Sequence, residues 1–468
     1  MKVLTTSFRI KTNRPPSSNQ PAVPCSAAHT SRPSTGLLLR LVLLLSLMLS
    51  AGCSGLPFSP ANPVDATPTI NAAVTETPSV APTMTETATP SGPVTLRIWL
   101  PPEFDPSSDS KAANLLQAQL KEFSSRRPGV RLDVRIKAMD QPGELLEALS
   151  AASAAAPSAL PDLVALPHSL MEAAALKGLL YPYDGLTATL DNQDWFDFAH
   201  SLASLQDSTY GIPFAGDVML LVYRSSMISD PPRDWSNAEE ITGPLAFPAA
   251  SPESLYTLTL YLDAGGKIQD EVGRPLLETG PLTSVLNFYQ QGAISGLTPP
   301  WLVEFETEEE SWLAFTSGQA NMAVTWASRY FREADSLPDD VAATSLPAFN
   351  GTSITLADGW VWAMGNPKNS NRDLAVQLAE FLTDSGFLAN WTSAAGYLPP
   401  RSSALSSWTE GAQQSLASQV VLSAQVLPPA DLLSSLGQPL QRVSVLALRQ
   451  QGDPAALAES AVSELAGP

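Results

Sequence analysis

Residues 94–136 read VTLRIWLPPEFDPSSDSKAANLLQAQLKEFSSRRPGVRLDVRI, and this stretch decides the fold class. Its two ends, Val94–Leu100 and Val130–Ile136, alternate apolar and polar residues, which is typical of strands. Between them, residues 111–126 carry apolar side chains at helical spacing and stop before Pro128 and Gly129. A strand, a helix and a second strand in succession predict a βαβ unit with parallel strands.

The same alternation continues along the chain. Further strands are predicted at 162–166, 245–247, 321–326 and 359–365, and further helices at 144–155, 169–176, 255–264, 282–292, 311–317 and 372–382. The chain from Val94 onward is too long for one hydrophobic core, so two lobes are expected.

An apolar run precedes the predicted domain. Residues 41–55 read LVLLLSLMLSAGCSG, and the apolar run at 37–51 is shorter than the about 20 residues of a membrane span and contains Arg40. A short apolar core behind basic residues is typical of an export signal. The LSAGC sequence at 49–53 resembles the bacterial lipobox, which implies cleavage before Cys53 and a lipid anchor, such as palmitate, on it. The alternative is an ordinary signal peptide with an incidental cysteine.

The segment that follows the lipobox has an unusual composition. Residues 53–93 contain 8 Pro and 8 Thr among 41 residues, with three charges. Such a segment has no apolar periodicity to bury, so we predict a disordered tether that reaches on the order of 100 Å from the membrane. The alternative is that the segment packs on the domain.

Charge and cysteine usage exclude several functions. Residues 1–52 hold six bases and no acid, so the mature chain has 20 bases against 46 acids, a net charge of −26. This surface repels phosphate backbones, and we predict no nucleic-acid partner.

Cys25 lies in the leader and Cys53 at the anchor, so the mature domain has no thiol for disulfides, metal ligation or catalysis. We predict no cofactor, no metal and a monomer.

Five segments carry a family resemblance, and they occur in the family's order. They are DLVALPH at 162–168 with ALKGLLYPYD at 175–184, YGIPFAGDVMLLVY at 210–223, FTSGQANMAVTW at 315–326, DGWVWAM at 358–364 followed by 369–384, and GYLPPR at 396–401. Together they resemble extracellular solute-binding proteins of the maltose and multiple-sugar type, the receptors of ABC importers. The chain departs from the pattern in one glycine before Trp360 where two are usual, in Arg224 where asparagine is common, and from Trp408 onward.

The resemblance implies an α/β fold of the two-lobed periplasmic-binding-protein type (type II, Venus-flytrap). Each lobe is then a mostly parallel sheet flanked by helices, and the ligand lies in the cleft between the lobes. Lobe 1 is predicted at 94–215 plus about 349–400, and lobe 2 at about 218–346 plus 401–468. The implied function is capture of a neutral mono- or oligosaccharide by hinge closure and delivery to ABC permease subunits, by a protein anchored outside the cytoplasm to the cell membrane.

The candidate site residues follow from what a sugar requires. Aromatic rings pack on its C–H faces, and planar acceptors such as carboxylates bind its hydroxyl groups. The resemblance places Trp326 at a stacking position and Asp217 at the crossover between lobes. The other candidates are Glu253, Tyr256, Trp360, Tyr397, His168, Ser169, Trp99 and Glu103. Each has a plain alternative: a core aromatic, a structural histidine, a solvated hinge carboxylate or, for Glu253, a helix-capping acid.

Two other functions stay open. The ligand can be a non-sugar solute such as a peptide or polyamine, or the protein can be a membrane-anchored glycan hydrolase. The sequence has no GxSxG, HExxH, GxGxxG or P-loop motif, and its SxxK match at 108–111 lacks SDN and KTG partners. The acidic run at 308–310 is predicted to be a solvated helix start. We therefore predict a binding protein and not an enzyme.

Overall fold

The computed structural model describes residues 93–139, 144–235, 241, 243–349, 351, 353–365 and 371–466. These residues belong to one compact unit, 86–468. The predicted signal peptide, the lipobox cysteine Cys53 and the tether up to residue 92 lie outside the described residues. In the described part of the chain, no helix combines the length and apolar character that crossing a membrane requires.

Strands and helices alternate as the periodicity predicts. The strands are β1 (Val94–Leu100), β2 (Val130–Ile136), β3 (Leu163–Pro167), β4 (Ser204–Leu205), β5 (Ser208–Thr209), β6 (Gly211–Arg224), β7 (Leu245–Ala246), β8 (Met322–Trp326), β9 (Val341–Thr344), β10 (Thr355–Ala363) and β11 (Ala424–Val426). The helices are α1 (Lys111–Ser125), α2 (Leu145–Ala155), α3 (His168–Leu176), α4 (Asp197–Ala203), α5 (Leu255–Asp263), α6 (Thr279–Ser295), α7 (Glu308–Thr316), α8 (Ala327–Glu333), α9 (Arg372–Phe381), α10 (Ser385–Ala395), α11 (Ser402–Ser406), α12 (Ala412–Val420), α13 (Ala430–Leu448) and α14 (Pro454–Ala466).

Nine of the described strands form one mixed sheet. At each end of this sheet, neighbouring strands run parallel to one another. The order is β2-β1-β3-β10-β6-β8-β7, with β11 beside β10 and β9 beside β6. β1 runs parallel to β2 and β3, and β7 runs parallel to β8. Each antiparallel pairing of this sheet among the described residues involves β6 or β10. The predicted α/β fold with parallel strands flanked by helices is therefore confirmed.

The 14-residue strand β6 joins the two ends of the sheet. Its first half pairs with β10, from Gly211 opposite Ala363 to Val218 opposite Ala357. Its second half pairs with β8, beginning with Met219 opposite Trp326. One continuous strand thus contributes to both ends of the sheet.

Two large hydrophobic clusters pack on the sheet, one at each end. The first contains apolar residues of β1, β3 and β10 together with those of α1, α9 and α10. The second contains residues of β8, α5, α6, α13 and α14. Side chains of β6 enter both: Phe214 and Leu220 belong to the first cluster, and Met219 and Leu221 to the second.

The C-terminal lobe boundary was predicted too early. Residues from 401 onward were assigned to lobe 2, but Leu405, Leu416 and Val420 are buried in the first cluster. The chain then adds β11 beside β10, and only from Leu427 onward do its side chains pack on the second cluster. The reason is that the apolar faces of α11 and α12 find their partners on the first cluster before the chain crosses the sheet edge.

Candidate ligand-binding cleft

A cavity of about 700 Å³ is lined by residues from both clusters. It collects six of the ten sequence-predicted candidates, which are Ser169, Asp217, Glu253, Trp326, Trp360 and Tyr397. These residues lie on different elements and are far apart in the chain. The long strands β6 and β10 bring them together, because both strands run past the cavity.

Two aspartates face the cavity from neighbouring strands. Asp217 of β6 stands directly opposite Asp358 of β10, so both side chains lie on the same face of the sheet. Asp217 Oδ1 accepts the backbone amides of Ser328 at 2.9 Å and Val218 at 3.0 Å. Burial raises the pKa of Asp217 to about 7, although these hydrogen bonds oppose the shift. Burial likewise raises the pKa of Asp358, which accepts the amide of Gly359 at 2.7 Å.

Two tryptophans reach the cavity from the two clusters. Trp326 ends β8 and packs against the second cluster, while Trp360 of β10 packs against the first. Trp360 meets the ring of Phe104 edge-on, with centroids 4.7 Å apart. Both indoles are only partly buried, so each keeps surface open to the cavity.

Close strand packing positions Trp360 and Asp358. Between them, Gly359 leaves no room for a side chain, since a Cβ atom would lie 2.5 Å from the Ala215 carbonyl oxygen and 2.5 Å from Leu202 Cδ1. The glycine therefore allows β10 to approach β6 and α4 closely at the point where both functional candidates emerge. The strand prediction at 359–365 began too late, because β10 begins at Thr355 and includes Asp358.

A hydrogen-bonded group closes one side of the cavity. Arg332 of α8 forms an ion pair with Glu103 at 2.9 Å and donates to Ser328 Oγ at 3.2 Å. The Tyr397 hydroxyl also donates to Glu103. Burial is the main cause that raises the pKa of Tyr397, so the tyrosine stays protonated. Glu103 itself lines a separate cavity of about 250 Å³ beside this group and not the main one.

Two glutamates complete the acidic lining. Glu253 is exposed and precedes Ser254, whose φ of +50° is in the left-handed region at the start of α5. Glu308, the first residue of α7, accepts hydrogen bonds from the Thr325 hydroxyl and from the Trp326 amide at 3.5 Å. The acidic run at 308–310 was predicted as a solvated helix start. That is correct for the helix, but Glu308 lies in the cavity wall.

Three other candidates lie in the protein interior. Tyr256 is 2% exposed and packs on Phe247 of the second cluster, because after Ser254 it is Leu255 that faces the cavity. Trp99 is 3% exposed, since β1 is covered on both faces. His168 is 5% exposed, and its Nδ1 lies 3.0 Å from the Leu202 carbonyl oxygen. These three side chains therefore do not line the cavity, and their contact with a ligand stays a prediction.

The family of the chain follows from a sequence comparison. The model of bacterial extracellular solute-binding proteins matches residues 118–415. The chain belongs to this family. No curated protein matches the sequence.

Solved structures share the fold of this solute-binding protein. The cyclic α-maltosyl-1,6-maltose binding protein from Arthrobacter globiformis superposes with a TM-score of 0.66 at 17% identity, covering 80% of this chain and 99% of that chain. The sugar-binding protein MalE from Xanthomonas citri gives 0.65 at 19% identity, covering 80% and 97%. Maltose-bound MalE3 of T. maritima gives 0.60 at 18% identity, covering 80% and 99%. The predicted family resemblance and the two-lobed fold are confirmed.

Sequence reasoning missed part of the cavity wall of this solute-binding protein. The missed residues are Glu308, Ser328, Arg329, Arg332 and Asp358, and a C-terminal set of Leu427, Ala430, Leu433, Ser434 and Gln438. Asp358 could have been found, because it lies two residues before Trp360 and the period of a strand places both on one face. The C-terminal set gave no such signal, since the sequence from Trp408 onward departs from the family pattern.

Among the residues that the structure describes, no group of three or more His, Cys, Asp or Glu side chains is arranged to hold a metal ion.

Proposed function

We propose that this solute-binding protein captures a carbohydrate in the cleft and delivers it to the permease subunits of an ABC importer. The observation that carries the proposal is the pairing of Trp326 and Trp360, one from each cluster, in a cavity that also holds four carboxylates. Aromatic faces and planar acceptors are the groups that a pyranose ring and its hydroxyls require. The sugar ligands named for the structural neighbours support the same class of ligand.

The cavity volume sets the size of the ligand. About 700 Å³ lies within the usual range of small-molecule sites and has room for a mono- or short oligosaccharide. The wall contributed by α13 adds Leu433, Ser434 and Gln438, which offers both apolar and hydrogen-bonding contacts for a second sugar unit.

The proposed mechanism is closure of the two lobes around the ligand. Trp326 is attached to the second cluster and Trp360 to the first, so a ligand that contacts both favours the closed form over the open form. No covalent step is involved. The permease then recognises the closed form.

A binding experiment separates this proposal from the two alternatives. We expect one-to-one binding of at least one carbohydrate in an oligosaccharide panel by isothermal titration calorimetry, with the sugar recovered unchanged by chromatography. Release of shorter products would instead support a glycan hydrolase. Binding of peptides or polyamines without any sugar binding would identify a receptor for a non-sugar solute.

We further propose that the protein acts outside the cytoplasm from a lipid anchor at Cys53. The family is extracellular, and the LSAGC sequence at 49–53 together with the Pro- and Thr-rich segment after it supports anchoring through a tether. A tethered receptor keeps a high local concentration near its permease.

A further inference from the structure

The charged groups of the cleft are unequally paired. Arg329 forms ion pairs with Glu309 at 2.7 Å and Glu333 at 2.5 Å, and Arg332 forms one with Glu103 at 2.9 Å. These three glutamates lie outside the cavity lining. Both arginines of the cavity are thus neutralised before a ligand arrives.

The carboxylates of the cavity accept hydrogen bonds only from uncharged groups. In the part of the chain that the structure describes, Asp217, Glu253, Glu308 and Asp358 form no ion pair. Asp217 and Glu308 accept amides and hydroxyls, Asp358 accepts the neighbouring amide of Gly359, and Glu253 has no hydrogen-bond partner there. The cavity therefore has an excess of negative charge.

The register of β6 and β10 concentrates this excess. Asp217 and Asp358 are directly opposite, which places their Cβ atoms about 4.5–5.5 Å apart. Like charges in this position are destabilising, and the burial that raises the pKa of both acids adds to the cost of their ionised forms. Arg332 lies near Asp217 and His168 near Asp358, but Glu253 adds a further negative charge beside Asp358. The departure noted in the sequence, one glycine before Trp360, is what places Asp358 in this pair.

We propose that the ligand is an amine-bearing sugar, whose ammonium group lies between Asp217 and Asp358 while its ring packs on Trp326 or Trp360. The inference rests on the carbohydrate function proposed above and narrows it. An ammonium group supplies the charge that the paired carboxylates lack, and the indole faces favour a cation as well as a sugar ring. A neutral sugar supplies only hydroxyl donors and leaves the pair uncompensated.

Sugars that differ in one substituent test this inference. Titration calorimetry at pH 7 would compare glucose, N-acetylglucosamine and glucosamine, and the β-1,4-linked disaccharides of each, with spermidine as a cation without a ring. We expect the amine-bearing member of a series to bind about 10- to 100-fold more tightly than its hydroxyl and acetamido counterparts. Raising the salt concentration should weaken the amine-bearing ligand selectively.

Variants assign the preference to the aspartate pair. Asp358→Asn keeps the side-chain shape, and it should reduce the amine preference to less than about 3-fold. Glu410→Gln, which removes an exposed acid away from the cavity, is the charge-matched control and should change nothing. Thermal melting of each variant confirms that it is folded.

The outcomes distinguish this inference from the proposed function. Tighter binding of neutral sugars, or an amine preference that persists in Asp358→Asn, would overturn the amine-bearing ligand and leave the carbohydrate receptor standing. Spermidine binding without sugar binding, or no sugar binding either here or in the oligosaccharide panel, would overturn both.

Discussion

The two tryptophans of the cleft each have one surface packed on protein and one surface open. Trp326 packs on the second cluster and Trp360 on Phe104 of the first, yet both are only partly buried. A fully buried indole such as Trp235, at 2% exposed, has no free surface for a ligand. Partial burial at the cavity wall is what makes a tryptophan available for stacking.

Trp326→Ala should weaken ligand binding and leave the fold intact. Loss of a stacked aromatic ring at a binding hot spot corresponds to about 10- to 1000-fold in affinity. Trp235→Ala is the matched control and should lower the melting temperature, since a core aromatic contributes about 3–5 kcal/mol to stability. Thermal melting beside titration with the cognate sugar measures both. A Trp326→Ala protein that melts early and binds normally would place Trp326 in the core.

Asp217 makes stability depend on pH. Its folded-state pKa of about 7 is above the usual carboxyl value near 3.8, so the folded protein holds the proton more tightly than the unfolded chain. The stability that the protonated Asp217 contributes to the folded protein is fully present below about pH 4, and it is lost as the pH rises towards and through 7. Asp358, whose pKa is also raised, acts in the same direction.

Asp217→Asn should remove part of this pH dependence. At pH 8 the variant should be more stable than the parent by about 1–3 kcal/mol, less than the full shift implies because solvent reaches the cleft. At pH 4 the two proteins should be equally stable. Urea denaturation at pH 4, 6 and 8 gives the free energy of unfolding at each pH. The same change of this free energy with pH in both proteins would contradict the assignment.

At the scale of elements, the end of α10 sets the position of the group that closes the cavity. Gly396 ends this helix at a φ of +77° and directs the chain into Tyr397. A Cβ atom there would lie 2.5 Å from Arg332 Cγ, 3.1 Å from the backbone nitrogen of Arg332 and 3.2 Å from the Ser328 carbonyl oxygen. The helix end and α8 therefore pack at a distance that only glycine allows.

Gly396→Ala should destabilise the protein and weaken binding. The left-handed conformation costs about 1–2 kcal/mol for alanine, and the contact with α8 adds about 1–3 kcal/mol. Gly178→Ala is the control, because Gly178 has a φ of +66° but no atom within 4 Å of the added Cβ, so only the first cost applies. Denaturant unfolding should show a larger loss of stability for Gly396→Ala than for Gly178→Ala. Equal losses of stability would show that α8 moves away from the added methyl group at no cost in free energy.

At the scale of the whole molecule, β6 links the two clusters. Because one strand carries side chains of both, we place the hinge of the proposed closure near the middle of β6 and β10, where Asp217 and Asp358 lie. The proposed ligand contacts are thus close to the proposed hinge, so that binding and closure are coupled.

Ligand binding should make the protein more compact. Small-angle scattering with the cognate sugar should show a smaller radius of gyration for the parent, and Trp326→Ala should lose this change at the same ligand concentration. An unchanged radius at saturating ligand would exclude large-scale closure.

Anchoring should depend on a single cysteine. Cys53→Ala should abolish acylation, so the protein should appear in the soluble fraction or as an unprocessed precursor. Membrane fractionation with mass spectrometry of the mature N-terminus measures this. A processed protein that stays in the membrane fraction would exclude the lipobox.

Local sequence patterns were sufficient to predict the class of fold and many residues of the cavity. The periodicity of 94–136 is enough to predict β1, α1 and β2, since alternation and helical spacing arise within a few residues of one another. The ordered motifs also identified the family, and the sequence-based candidates include six residues that line the cavity.

Which of those residues lie close together depends on long-range packing. The opposition of Asp217 and Asp358 depends on the register of two strands far apart in the chain, and no local pattern encodes that register. No local pattern predicts the position of Glu103 either, which forms an ion pair with Arg332 and does not line the cavity. Trp99 and Tyr256 lie in the interior and not in the cavity lining, and the sequence could not show this because an aromatic side chain fits a core and a cleft equally well. Which of the two it occupies depends on whether another element covers it, and that is a property of packing, not of sequence.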